Sequence, residues 1–180
     1  LKNFMKILQV IPHYYPATRF GGPQKVAHAL GKTLVSIGHE VTVCTTNMKD
    51  EVNDLEILTD TPVLIDGLTV YYEPVVFLRY WGFSPKLWQR IQKEAINSDL
   101  VLIHAHYQFA NWVGALLSRR LKKPYIIFAH GSLHLQGMKS KNFLLKKIYL
   151  TALETNNFRK ALFIVFNAEE EMEHSCFSER

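Results

Sequence analysis

Short, mostly apolar runs recur along the chain, and the stretches between them carry apolar residues three and four positions apart. The runs fall at residues 6–11, 40–45, 68–73, 100–104, 124–129 and 162–166. Lys6-Ile7-Leu8-Gln9-Val10-Ile11 is apolar on both alternating sides, as a strand covered on both faces must be. After Pro23, residues Val26, Ala27, Leu30, Leu34 and Ile37 share one helical face, and Gly38 closes the segment. Leu87, Trp88, Ile91 and Ala95 mark a helix over 85–97, and Val113, Leu117 and Leu121 mark another over 110–121. This alternation predicts an α/β domain of three layers, a mostly parallel sheet with helices on both faces. Asp66-Gly67, between the runs 63–65 and 68–72, predicts a hairpin that adds a short antiparallel strand at one edge. Residues 48–61 hold five acidic side chains and little periodicity, which predicts a mobile surface loop.

In open sheets of this kind ligands gather beyond the carboxyl ends of the strands. The loop over 12–24 occupies the first such position. Its Gly21-Gly22 pair lets the backbone come close to a ligand, and Pro23 suits the first helical position. Free amides at a helix start favour an anion such as the diphosphate of a sugar nucleotide. A tight turn alone would use the same glycines, so both readings stand. The loop has neither Gly-x-Gly-x-x-Gly nor the Lys-Ser/Thr pair of a P-loop.

Histidines crowd the same edge. His13 follows the first strand, His104 and His106 the fourth, and His130 the fifth. A single histidine there is more often a structural hydrogen-bonder than a catalyst, but several converging on one edge favour a site. On an extended chain His104 and His106 face opposite ways, and no carboxylate or cysteine cluster completes a ligand set, so no metal is expected. Tyr107-Gln108-Phe109-Ala110-Asn111-Trp112 supplies groups that stack on or hydrogen-bond a sugar, and Gly131-Ser132 leave room for substrate. Ser132 is not in a Gly-x-Ser-x-Gly elbow, which excludes the corresponding esterase chemistry.

The 180 residues, 48% hydrophobic, suit one domain with a sizeable core. A net charge of +5 favours anionic partners, nucleotide sugars or acidic lipids among them, without pointing to nucleic acid. Cys44, in an apolar run, reads as a buried thiol; with Cys176 it forms neither a metal nor a disulfide pattern, so a reducing, cytoplasmic setting is expected. No apolar run is long enough to span a membrane. Residues 1–4 precede Met5 and read as upstream sequence rather than a secretion signal. Lys139, Lys141, Lys146 and Lys147 alternate with Phe143, Leu144, Leu145, Ile148 and Tyr149. That helix either packs on the sheet with solvated lysines or makes a peripheral contact with the inner face of a membrane.

Three segments carry a family resemblance: MKILQVIPHYYPATRFGGPQKVAHALGKTLVSIGHEVTVCTT, DLVLIHAHYQFANWVGALLSRRLKKPYIIFAHGS and ALFIVFNAEEEME. In order and spacing they resemble the amino-terminal, acceptor-side domain of glycosyltransferase family 4, also called group 1, whose retaining enzymes have the GT-B fold. The resemblance implies that residues 1–180 form one Rossmann-like half of such an enzyme, ending at the crossover to a donor-binding domain that this chain lacks. It implies transfer of a sugar from a nucleotide-diphosphate sugar to a hydroxyl of a glycan or lipid-linked acceptor, as in polysaccharide or lipopolysaccharide assembly, without a metal or other cofactor. By the same resemblance Gly21 and Gly22 lie near the donor diphosphate, and His106 and Tyr107 help hold the acceptor. His13, Tyr14, Arg19, Gly131 and Ser132, at the same edge, are further expected acceptor or substrate positions. His130 is the catalytic position, a hydrogen-bonding partner of the transferred sugar rather than an obligatory base. The family's Glu-x7-Glu motif is matched in spacing by Glu171 and Glu179, but these follow the sixth strand directly and are not assigned to it. A sugar-nucleotide epimerase of the same architecture and a stand-alone binding module are the alternatives. The chain by itself is expected to transfer little or no sugar.

Overall fold

The computed structural model describes residues 4–131, 153–173 and 175. In chain order the elements are β1 (Lys6–Val10), α1 (Gly22–Ser36), β2 (Glu40–Thr46), β3 (Val63–Ile65), β4 (Leu68–Glu73), α2 (Pro85–Asn97), β5 (Leu100–His104), α3 (Phe109–Arg120), β6 (Tyr125–Phe128), α4 (Thr155–Lys160), β7 (Phe163–Val165) and α5 (Glu169–Glu173). The strands form one sheet in the order β3-β4-β2-β1-β5-β6-β7. Every neighbouring pair is parallel except β3 and β4. The expected Rossmann-like architecture is present, with all six expected strands and the edge hairpin. Asp66 (φ 49°) and Gly67 (φ 85°) both lie in the left-handed region, the geometry that a two-residue turn matched to strand twist requires.

Alternate side chains of β1 enter separate cores. Ile7 and Ile11 pack with Val41, Val43, Leu68 and Val70 on the α1 side. Leu8 and Val10 pack with Leu87, Ile91, Ile103 and Val113 on the side of α2 and α3. Burial on both faces explains the near-continuous apolar runs. Helix α2 starts where Ser84 accepts a hydrogen bond from the Leu87 amide (3.1 Å) and Pro85 takes the first helical position.

The sheet-facing line of α1 matches the expected one at Ala27, Leu30 and Leu34 and departs from it elsewhere. It runs through Gln24, Ala27 and Gly31, whereas Val26 and Ile37 are exposed. The cause is close approach. A Cβ on Gly31 would sit 2.2 Å from Leu68 Cδ2, so the helix comes nearest the sheet at its smallest residues, with Leu30, Leu34 and Val35 packed partly buried beside them.

The loop expected to be mobile is instead pinned. The Asp50 carboxylate accepts from the amides of Val52 (2.8 Å) and Asn53 (2.7 Å), and Leu55 is buried. Arg79, in the loop between β4 and α2, donates to the carbonyls of Glu51 (3.0 Å) and Asn53 (2.6 Å) and pairs with Asp54 (2.7 Å). Irregular turn chemistry, not freedom, accounts for the lack of periodicity.

Cys44 is a buried free thiol whose pKa burial raises well above the usual range. Ser132, the lysines at 139, 141, 146 and 147, and Cys176 lie outside the described residues. Among the described residues no helix is long and apolar enough to cross a membrane.

Candidate functional site

Strand β1 lies between β2 and β5, so the connection leaving it through α1 runs to one side while the chain returns to the other side at β5. The loops after β1 and β5 therefore diverge, and a crevice opens between them. Across it the side-chain amide of Gln108 and the imidazole of His13 hydrogen-bond at 3.2 Å. The His13 ring stacks on Phe20 at 3.5 Å between centroids. Burial, aided by the charge of Arg79, lowers the His13 pKa to about 4, so the ring is neutral at pH 7.

Two adjoining hollows follow this crevice. One, of about 240 Å³, is bounded by Pro12, His13, Phe20, Pro23, Gln24 and Gln108. Neither end of the buried Gln24 amide has a partner among the described residues. A buried amide of this kind is stabilised by a ligand or water that completes its hydrogen bonds. The other hollow, of about 400 Å³, shares His13 and Phe20 and adds Met48, Glu51, Tyr80, His106 and Tyr107.

Gly21 stands at the mouth, with φ 85° and ψ −144°, a conformation that side chains resist. It precedes α1 without a side-chain cap, and a Cβ on Gly21 or Gly22 would meet nothing within 4 Å. The first-turn amides of a 15-residue helix thus border open space next to the hollow lined by Pro23.

The segment carrying His104 and His106 is not extended throughout. Ala105 and Tyr107 both have φ 68°, which breaks the extension. The two rings still part company. His106 turns to Tyr107 (3.9 Å) and, edge-on, to Phe158. His104 is fully buried, lies parallel to Phe128 at 4.7 Å, and brings Nδ1 to 3.1 Å from His130 Nε2. Burial, and then the neighbouring His130, lower its pKa to about 3. Burial also lowers that of His130, against the opposing charge of Glu171. Glu171, itself buried, accepts from the amides of Gly131 (2.6 Å) and Asn167 (2.9 Å).

The structure thus gathers His13, His106 and Tyr107 around shared hollows, with the glycine pair at their mouth. His130 does not line those hollows, and neither does the buried His104 to which it is bonded. Arg19 is exposed and pairs with Glu51 (3.2 Å) at the rim. Tyr14, another expected acceptor contact, is wholly buried and its hydroxyl bonds His28 Nδ1 at 2.9 Å, and Gly131 lines neither hollow. Tyr14 is therefore a packing residue. Among the described residues no three histidine, cysteine or acidic side chains are grouped to hold a metal.

Phe20, Gln24, Glu51, Tyr80 and Glu171 escaped sequence reasoning as parts of this site. Gln24 had a readable signal, since it lies three residues before Ala27 on the sheet-facing line of α1. Glu51 and Tyr80 come from loops that only tertiary contacts bring together, and nothing in their own segments marks them.

The family model for Glycosyltransferase Family 4 matches residues 20–176. The chain belongs to Glycosyltransferase Family 4. The match takes in Gly21, Gly22, His106, Tyr107 and His130. Comparison with curated proteins gives no match. Among solved structures, this family 4 domain resembles HepE from Anabaena in complex with UDP-glucose, with a TM-score of 0.61 and 19% identity over 97% of the chain and 40% of HepE. It also resembles a protein provisionally named UDP-N-acetylglucosamine 2-epimerase from Listeria monocytogenes (TM-score 0.53, 10% identity, 95% of this chain and 41% of the other). MurG of Acinetobacter baumannii gives 0.50 at 15% identity, over 92% and 42%. The chain spans about two fifths of the length of each. At these identities the likeness is one of fold: the family 4 domain has the Rossmann-like form of one half of a GT-B enzyme.

Proposed function

We propose that this domain forms the acceptor-side wall of a retaining glycosyltransferase that moves a sugar from a nucleotide-diphosphate sugar to a hydroxyl of a glycan or lipid-linked acceptor. One observation carries the reading: an uncapped helix start opens beside a neutral, hydrogen-bonding crevice. The first suits a diphosphate and the second suits hydroxyl groups. UDP-glucose bound to HepE, a protein of like fold, supports a nucleotide sugar as donor.

In this reading the bond from the anomeric carbon to the diphosphate breaks, and a bond from the acceptor oxygen forms on the same face. The acceptor proton leaves with the released diphosphate or to solvent. Amides at Gly21 and Gly22 offset charge on the leaving group, so that no metal is required. His13, His106 and Tyr107 orient the acceptor, and His130 hydrogen-bonds the transferred sugar. A second domain across the cleft supplies the remaining donor contacts. Membership of a transferase family favours transfer over epimerisation, because the likeness to the epimerase is one of fold alone.

The test is product analysis on the complete protein with labelled nucleotide sugars, with and without glycan and lipid-linked acceptors. Acceptor-dependent incorporation of label is the expected result. Conversion of the nucleotide sugar without any acceptor would establish the epimerase instead.

A further inference from the structure

We propose that His104 is a positioning residue that holds His130 in its Nδ1–H tautomer, so that His130 meets a ligand as a hydrogen-bond donor and not as a base. The part played toward a ligand rests on the functional reading above; the tautomer itself does not.

A hydrogen bond between His104 Nδ1 and His130 Nε2, 3.1 Å apart, contains one proton. Two arrangements can supply it. If His130 Nε2–H donated, neutral His104 would carry its own proton on Nε2. That atom is buried and has no partner among the described residues. An N–H would then be stranded away from water, which proteins avoid more strictly than an under-used lone pair. If His104 Nδ1–H donates, Nε2 keeps only its lone pair and no donor is stranded. The second arrangement is therefore the stable one. His130 then accepts at Nε2 and, being neutral, bears its proton on Nδ1.

The surroundings hold both rings to this pairing. His104 lies within 15° of parallel to Phe128 and within 19° of parallel to His130. Asn111 Nδ2 donates to the His104 carbonyl. His130 has φ 52°, and the next amide, that of Gly131, is held by Glu171. The only lone pair in the His130 ring is already engaged by His104. A sugar oxygen can therefore accept a hydrogen bond from Nδ1–H, whereas an acceptor hydroxyl finds no free nitrogen to take its proton.

The experiment is long-range ¹H–¹⁵N spectroscopy of the chain labelled with ¹⁵N-histidine. In the wild type, His130 Nδ1 should resonate as a protonated nitrogen and Nε2 as an unprotonated one, with a trans-hydrogen-bond N–N coupling whose proton belongs to His104 Nδ1. His104→Leu removes the donor and should move most of His130 to the Nε2–H form that free imidazole prefers. His104→Asn restores an N–H in a similar position and should restore the Nδ1–H form, a rescue that a purely space-filling role would not produce. A protonated His130 Nε2 in the wild type would overturn the inference. So would an unchanged tautomer in a folded His104→Leu. Should His104→Leu not fold, the wild-type coupling decides alone. Transfer activity is not part of this readout, so failure of the tautomer and failure of the functional reading remain separate results.

Discussion

Glu171 takes the Gly131 amide at 2.6 Å on one carboxylate oxygen and the Asn167 amide at 2.9 Å on the other, tying the turn after β6 to the turn after β7. Glu171→Ala should cost about 1–3 kcal/mol, since two charge-assisted hydrogen bonds are lost while both donor residues, Gly131 and Asn167, are exposed and can be hydrated. Urea unfolding measures it. Glu171→Gln should cost less and should also lower the His130 pKa further, because the Glu171 charge is what opposes burial there. A histidine titration followed by NMR checks that second effect.

Stability should fall on the acid side earlier than carboxylates alone would cause. His13 and His104 have folded pKa values near 4 and 3 against an ordinary 6.5, so below pH 6.5 the unfolded chain binds protons that the folded one refuses. Each depressed histidine then removes about 1.4 kcal/mol per pH unit, down to its own folded pKa. Glu73, whose pKa burial raises, works in the opposite direction over part of this range. Urea midpoints between pH 7 and pH 4 measure the slope. His13→Gln should flatten it, and an unchanged slope in that variant would count against a neutral His13.

Gly21 and Gly22 should respond oppositely to alanine. Gly21→Ala places a side chain at φ 85° and ψ −144° and should cost about 1–3 kcal/mol through backbone strain alone, since no atom lies within 4 Å of the added methyl. Gly22→Ala lies at an ordinary helical position in open space and should leave stability unchanged or raise it by about 0.5 kcal/mol. If the amides there receive a diphosphate, the same methyl should weaken nucleotide-sugar binding by the complete protein about tenfold or more. Calorimetric titration separates the effects. Undiminished affinity in Gly22→Ala would mean the glycine pair serves only the turn.

Arg79→Ala should free the loop over 48–54 from the loop over 74–83. Amides near Asn53 should exchange hydrogen faster, while those of β1 and β5 keep their protection. The His13 pKa should rise as well, because the Arg79 charge is one of the two causes that depress it. Exchange mass spectrometry and NMR titration read the two effects independently.

Much of the fold was legible because its signals are local. Each central strand is buried on both faces and so reads as a continuous apolar run, and Ser84-Pro85 and Asp66-Gly67 announce their cap and turn through their own chemistry. The face of α1 was legible at Ala27, Leu30 and Leu34, but its close approach to the sheet was not, because that depends on Leu68, 37 residues after Gly31, pressing against a glycine. The site divides in the same way. Residues directly after strands, such as His13, His106 and His130, can be found from topology alone. Tyr14 follows His13 at once yet turns inward, a choice made by His28 on α1. Glu51 and Tyr80 come together from two distant loops that Arg79 joins.

That guanidinium also shapes the crevice itself. By holding carbonyls and a carboxylate of the opposite loop it gives one bank of the cleft its shape before anything arrives. Ordering entropy that a slack loop would lose at the moment of binding is lost during folding instead. Any ligand entering the crevice would therefore meet a standing contour, and selection on this side would rest on fit to it rather than on a loop remoulding itself around each one.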